Sequence, residues 1–246
     1  MNEVRKAIIP AAGCGLRMAP LADFIPKEML PIGSKPAIGY IMDEIFRSGI
    51  DDCAVILNRK KKILENYLLL KRKSGFRIKL FYQSAPSGIG DALLMARKFT
   101  GGEPFAVILP DNIFLSAKPG ILQLVSFFKK REVSCLGLVK LRKSEEAGFE
   151  GGEWFGAERI FNSVFRIKKK EKRGTELRGF GRYIFTPEIF RCLKKTKEKV
   201  VGEFNEGAAC MELVSDAKLF GVLLDGKGYD IGNPAGYLKA QREFLC

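Results

Sequence analysis

The first residues with chemistry in their types and spacing form the turn Ala11-Ala12-Gly13-Cys14-Gly15-Leu16-Arg17-Met18, which follows the apolar run Ala7-Ile8-Ile9-Pro10. Small residues let backbone N–H groups approach a phosphate closely, the two glycines tolerate a positive φ, and Arg17 adds a fork of donors matched to phosphate oxygens. Neither of the common phosphate loops is present: GxGxxG needs a glycine where Met18 stands, and GxxxxGK followed by Ser or Thr occurs nowhere. A tight strand-to-helix connection explains the turn equally well. Downstream, Ile25-Pro26-Lys27-Glu28-Met29-Leu30-Pro31-Ile32 sets a lysine between two prolines, with no regular helix or strand expected over it. Proline rigidifies such a segment at little entropic cost. It reads either as a lysine held over the first turn to meet an anion or as a plain Pro-rich loop.

Composition removes several alternatives. The chain of 246 residues contains no histidine, which excludes Ser-His-Asp and Cys-His triads, histidine general bases and His-containing zinc or haem sites. The cysteines, at 14, 53, 135, 192, 210 and 246, form no CxxC pair and are expected to be mostly buried, reduced thiols. Net charge is +14, so the molecular field concentrates anions such as phosphorylated small molecules. The Lys and Arg runs fall mostly at the ends of expected helices, where cations complement the dipole. No aromatic-basic motif accompanies the charge, so neither a nucleic-acid partner nor a membrane partner is expected. No window reaches the ~20 apolar residues that span a bilayer, and the first residues lack a signal-peptide core, so a cytoplasmic location is expected.

These groups need a scaffold. Short apolar, β-branched runs at 7–10, 53–57, 78–82, 105–109 and 134–139 alternate with helical patterns, such as Ile38, Ile41, Met42 and Ile45 ending at Gly49. Further helices are expected at 63–70, 92–99, 187–195, 206–218 and 234–244, and further strands at 164–167, 181–185 and 219–224. The pattern predicts an α/β fold with a mostly parallel sheet covered by helices, whose ligands gather at the carboxyl ends of strands. Residues 141–180, with Gly148, Gly151, Gly152, Gly156 and a dense lysine run, read as an inserted, partly β lobe. The expected organisation is one domain over 1–246, with a core at 1–140, which the resemblance described next makes nucleotide-binding, the insertion at 141–180 and a return to the core at 181–246.

The segment Ile9 to Met18, with Pro26-Lys27-Glu28-Met29-Leu30-Pro31 and Lys35-Pro36-Ala37-Ile38, resembles the opening of the sugar-phosphate nucleotidyltransferases. Within that family it is most similar to the bacterial-type members that join UTP to glucose 1-phosphate. The resemblance continues through Tyr82-Gln83, Gly88-Ile89-Gly90-Asp91-Ala92, Val107-Ile108-Leu109-Pro110-Asp111, Gly181-Arg182-Tyr183 and Asp230-Ile231-Gly232-Asn233. It implies a Rossmann-like, three-layer nucleotidyltransferase (GT-A-like) fold with a smaller β-rich sugar-binding lobe.

The resemblance also implies roles. Arg17 and Lys27 neutralise the triphosphate, Gln83 and Gly88 meet the base, and Ala11, Ala12, Gly13 and Gly15 pack under the nucleotide. Asp111 and Asp230, each at a strand end, are the expected Mg²⁺ ligands, since this hard cation takes one or two carboxylates together with phosphate oxygens and water. An Asp after a strand also commonly caps a turn, a reading that applies to Asp230 more than to Asp111. The implied partners are UTP and a sugar 1-phosphate, and the reaction is in-line displacement of pyrophosphate without a protein nucleophile. Homo-oligomer formation stays open.

The family's Glu-Lys-Pro in the sugar lobe is not reproduced by Arg166-Ile167-Lys168-Lys169-Lys170-Glu171-Lys172-Arg173. Lys170 is the preferred sugar-phosphate ligand, with Lys172 as the alternative register. Gly156 and Glu203 complete the expected sugar contacts. Transfer of another base (thymidylyl, guanylyl or cytidylyl), another acceptor, or a nucleotide-sugar-binding protein without turnover are the competing readings.

Overall fold

The computed structural model describes residues 3–73, 75–141, 154–171, 177–200 and 202–245. In chain order the strands are β1 (Lys6–Ala11), β2 (Pro31–Ile32), β3 (Lys35–Pro36), β4 (Asp52–Asn58), β5 (Arg77–Gln83), β6 (Phe105–Ile108), β7 (Asn112–Leu115), β8 (Ser134–Lys140), β9 (Trp154–Phe161), β10 (Val164–Glu171), β11 (Leu177–Phe185), β12 (Leu219–Leu223) and β13 (Lys227–Asp230). The helices are α1 (Leu21–Phe24), α2 (Ala37–Arg47), α3 (Lys62–Lys73), α4 (Ile89–Met95), α5 (Arg97–Thr100), α6 (Gly120–Arg131), α7 (Ile189–Lys197), α8 (Gly207–Ser215) and α9 (Pro234–Leu245).

Alternation along the central strands builds three layers. In β1, Ala7, Ile9 and Ala11 face one core while Ile8 faces the other, and β4 divides in the same way between Cys53, Val55 and Leu57 and Ala54 and Ile56. The first core is closed by α2, α3 and α6, the second by α4, α7 and α8. Strands buried on both faces need apolar residues at every position, which is why they read as continuous runs rather than alternating ones. Each fully buried Leu, Ile or Phe contributes about 1.5–3 kcal/mol.

The main sheet has nine strands in the order β5-β4-β1-β6-β11-β8-β12-β10-β9. Strands β5, β4, β1 and β6 run parallel, as do β8 and β12, whereas β11 and β10 oppose their neighbours. The β9–β10 hairpin, from the expected insertion, extends this sheet at its far edge and also touches β11 through Arg178 opposite Trp154. From β1 the chain moves outward to β4 and β5, then returns to place β6 on the other side of β1. That reversal opens a crevice beyond the carboxyl ends of β1 and β6, the usual ligand position in such sheets.

Four local expectations change. The segment around Lys27 is a one-turn 3-10 helix, Lys27–Met29, because Pro26 has φ −51° and its carbonyl accepts from the Met29 N–H at 2.7 Å. The 92–99 helix is two pieces that meet at Ala96. Helix α8 stops at Ser215, since Ala217 takes φ 56° and Lys218 N–H donates to the Leu213 carbonyl, a left-handed end. Asp230 is the last residue of β13, in a two-stranded ribbon with β7 that the sequence pattern did not reveal.

One buried ion pair ties these layers behind the crevice. Arg182, wholly buried on β11, donates from Nε and Nη2 to the two Glu44 carboxylate oxygens at 2.9 and 2.7 Å, and from Nη2 to the Asn112 carbonyl at 2.8 Å. Glu44 Oε1 also accepts from the Ile121 N–H at the start of α6. Removing one partner of such a pair strands a buried charge. Glu44→Ala is therefore expected to cost on the order of 3–5 kcal/mol, read as a lower urea midpoint. An unchanged midpoint would show that the pair does not anchor the fold.

Candidate functional site

A cleft of about 400 Å³ opens at the crevice. Among the described residues lining it are Ala12, Gly13, Arg17, Lys27, Gln83, Gly88, Asp111, Arg178, Glu203, Glu206 and Asp230. Arg17, Lys27, Asp111 and Asp230, remote in the chain, thus meet in one place. Ala11 lies buried beneath, and Gly15, with φ 72°, packs over the stem of Lys27, where a β-carbon would stand 3.6 Å from its Cδ.

Lys27 is aimed by its neighbour in sequence. Glu28, with 0 % exposure, accepts from Lys61 Nζ at 2.8 and 2.9 Å, and the same ammonium donates to the Ala11 carbonyl at 2.8 Å. One buried lysine thereby joins the Lys27 turn to the end of β1. Lys27 Nζ then reaches Asp111 Oδ2 at 2.5 Å.

Asp111 follows β6, and the ladder of β13 with β7 pairs Asp230 with Asn112, the next residue. The Ile231 N–H donates to the Asp111 carbonyl at 2.8 Å. Asp111 Oδ2, Asp230 Oδ1 and Arg17 Nη2 lie 2.9, 3.0 and 3.1 Å from the point where a β-carbon on Gly232 would stand. Only glycine leaves that point empty, and the Gly232 N–H donates to Asp230 Oδ1 at 2.9 Å.

The two carboxyls respond differently to this shared environment. Burial pushes the Asp111 pKa up, but the Lys27 ammonium with its hydrogen bond and the Arg17 charge outweigh it and hold Asp111 below the usual carboxylate range. For Asp230, burial and then the Asp111 charge raise the pKa, against the pull of the Gly232 N–H, Arg17 and Arg178. Burial likewise works against the Lys27 charge, yet Asp111 and Glu28 leave its pKa raised.

At one end of the cleft, Gln83 is 4 % exposed. Its Nε2 donates to Ser87 Oγ at 3.1 Å and, more weakly, to the Gly88 carbonyl at 3.3 Å. Ser87 gives its own proton to Asp91 Oδ2 at 2.6 Å, so its oxygen is an acceptor and the amide must turn its NH₂ inward. Gly88 has a protein neighbour as well. The space beside its α-carbon, where φ is 98°, is filled by the Phe204 backbone: a β-carbon would stand 2.2 Å from that carbonyl oxygen. Close approach of the 202–206 segment, rather than of a ligand alone, therefore requires glycine here.

The lining also includes Glu203, Glu206, Tyr183, Gly179 and Arg178, and the two glutamates flank Phe204, which packs on Gly88. Glu203 is exposed, while buried Glu206 accepts from the Tyr183 hydroxyl at 3.0 Å. Arg178, 4 % exposed, stands 3.8 Å from Asp230 Oδ2. Burial, partly offset by Asp230, lowers its pKa to about 10. Gly156 sits on β9 opposite Lys169, outside the described lining of the cleft, and Lys170 pairs with Phe155 in the β9–β10 ladder. Lys172 lies outside the described residues.

Sequence reasoning passed over Arg178, Glu206 and Lys61. A signal for the first exists, because Leu-Arg-Gly-Phe-Gly-Arg-Tyr-Ile-Phe places two arginines in an otherwise apolar strand, and buried charges are kept only with partners or a task. Lys61 sits in a basic run that reads as a solvated helix end, and nothing local marks it as buried. Of the cysteines, Cys53, Cys135, Cys192 and Cys210 are buried, as expected, whereas Cys14 is exposed in the first turn. No helix among the described residues is long and apolar enough to cross a membrane.

A switch-point crevice lined by paired acids and cations defines an α/β protein that handles phosphorylated nucleotides. The chain belongs to the nucleotidyl transferase family, whose model matches residues 6–245. It is 34 % identical over 268 residues to the UTP–glucose-1-phosphate uridylyltransferase of Bacillus subtilis, covering 99 % of this chain and 92 % of that one. The Staphylococcus haemolyticus enzyme of the same name is also 34 % identical, over 99 % of this chain and 93 % of its own. A crystal structure of a UDP-glucose pyrophosphorylase complexed with UDP-glucose superposes with a TM-score of 0.86 at 30 % identity, covering 98 % of both chains.

A methyl group at 232 would wedge the two acids and Arg17 apart. Gly232→Ala is expected to lower nucleotidyl transfer about a hundredfold, the scale of a small misplacement in a reactive site, while thermal unfolding shifts little. Steady-state rates of the variant check this, and wild-type turnover would contradict the convergence.

Proposed function

We propose that this protein transfers a uridylyl group from UTP to glucose 1-phosphate or a related sugar 1-phosphate, with release of pyrophosphate. The observation that carries this reading is the meeting of Arg17, Lys27, Asp111 and Asp230 at one point of the crevice. The uridylyltransferases of 34 % identity named above support the same choice of substrates.

Arg17 and Lys27 bind the triphosphate and screen the charge that gathers on the α-phosphorus during attack. A phosphate oxygen of the sugar 1-phosphate forms the new bond to that phosphorus while the bond to the β-phosphate oxygen breaks. The attacking oxygen is already ionised at neutral pH, so the chain needs no general base, in keeping with the absence of histidine. Gln83, with its NH₂ turned onto the protein, offers Oε1 as an acceptor. That suits the N3–H of uracil and opposes cytosine, whose N3 is itself an acceptor. Ala12 and Gly13 give the nucleoside a close backbone surface. Glu203 and Glu206 are acceptors for sugar hydroxyls; the family resemblance puts Lys170, or Lys172, near the sugar phosphate and Gly156 near the sugar.

The donor set fits Mg²⁺: two buried carboxylates face a common point, and burial, then the Asp111 charge, raises the Asp230 pKa. Asp111 and Asp230 would hold the ion, which would supply charge neutralisation and orientation for the triphosphate.

The test is pyrophosphate release from UTP and glucose 1-phosphate with and without Mg²⁺, followed by a panel of CTP, GTP and dTTP. Asp111→Asn keeps the shape but removes a charge and is expected to reduce turnover by at least about a hundredfold, consistent with several kcal/mol of lost charge stabilisation. Near-normal turnover in that variant would overturn the assignment of Asp111. UTP binding without pyrophosphate release from any sugar phosphate would favour a binding protein over an enzyme.

A further inference from the structure

The cations lining the cleft among the described residues are Arg17, Lys27 and Arg178, and they are not equivalent in place. Lys27 is paired with Asp111, and Arg17 reaches the point between Asp111 and Asp230. Arg178 approaches Asp230 Oδ2, the other carboxylate oxygen from the one facing that shared point. It enters from β11, next to Gly179 in the lining and opposite Trp154 of the β9–β10 hairpin. In-line transfer requires the attacking oxygen and the departing pyrophosphate on opposite sides of the α-phosphorus. A site holding a triphosphate by Arg17 and Lys27 therefore needs a further cation on the attacking side, where a second phosphate arrives against like charge.

The geometry points to Arg178 as the residue that holds the phosphate of the acceptor sugar 1-phosphate, an inference that rests on the transfer reaction proposed above. At 3.8 Å its contact with Asp230 is an ion pair beyond hydrogen-bond length. Phosphate oxygens that enter the cleft at hydrogen-bond distance interact with the guanidinium more strongly than Asp230 does. The planar fork suits two oxygens of one phosphate, and burial at 4 % exposure reduces the screening and side-chain freedom that weaken surface contacts. A lysine at this position keeps the charge without the fork.

The test compares wild type, Arg178→Gln and Arg178→Lys. With UTP saturating, KM for glucose 1-phosphate is expected to rise at least about tenfold in Arg178→Gln and by less in Arg178→Lys, the scale of a lost charge-assisted bond. UTP affinity, measured by titration calorimetry, should stay within about twofold of wild type, which also reports that the variants are folded. Equal loss of affinity for both substrates, or an unchanged KM for glucose 1-phosphate, overturns the proposal. If wild type shows no turnover, the transfer reading falls, and calorimetric binding of glucose 1-phosphate decides the role of Arg178. Binding lost in Arg178→Gln but present in wild type sustains it, whereas binding equal in the two proteins, or absent from both, overturns it. Lys170→Ala and Lys172→Ala serve as parallel arms: if either shows the selective KM effect and Arg178→Gln does not, the phosphate belongs to that lysine.

Discussion

Two carboxylates of like charge share a buried corner of this molecule, and much of the surrounding structure exists to make that tolerable. Asp111 and Asp230 are 8 % and 3 % exposed, and both direct an oxygen toward the same point beside Gly232. Burying an isolated charge is expensive, and burying two together is worse. Lys27, Arg17 and Arg178 answer the charge, the Gly232 N–H satisfies one oxygen, and the β13–β7 ladder brings the acids together. The folding energy that holds this arrangement comes from the apolar layers, not from the site.

Positioning is delegated to a second rank of buried ion pairs behind the acids and cations of the cleft. Lys61 fastens Glu28 to the end of β1 and so fixes the turn that carries Lys27. Arg182 fastens Glu44, Asn112 and, through Glu44, the first turn of α6, which braces the segment after Asp111. Both pairs are hydrogen-bonded at every carboxylate oxygen. That geometry is what allows such pairs to offset their desolvation and to define a unique arrangement of loops.

The sheet and several residues that line the cleft were legible because they obey local rules. Continuous apolar runs marked β1, β4, β6 and β8, and strand-end placement marked Arg17 and Asp111. What escaped depends on long-range pairing. The β7–β13 ribbon joins segments over a hundred residues apart, and neither strand is apolar enough to stand out. Lys61 looks solvated in a basic run, and its burial arises only when α3 packs beside the Lys27 turn. Gly88 carries a sequence signal of close approach, but which body approaches, Phe204 or a ligand, is not written locally.

Phe204 has a wider consequence. Its N–H donates to the Ser87 carbonyl, its carbonyl accepts from the Gly90 N–H, and its ring lies over Gly90, while Glu203 and Glu206 flank it in the chain. The turn after Gln83 and the acidic segment packed on it are thus a single mechanical piece. Under the roles proposed for Gln83, Glu203 and Glu206, selectivity for the incoming base and for the entering sugar cannot drift apart by separate small steps, because a shift that loosens one carries the other with it.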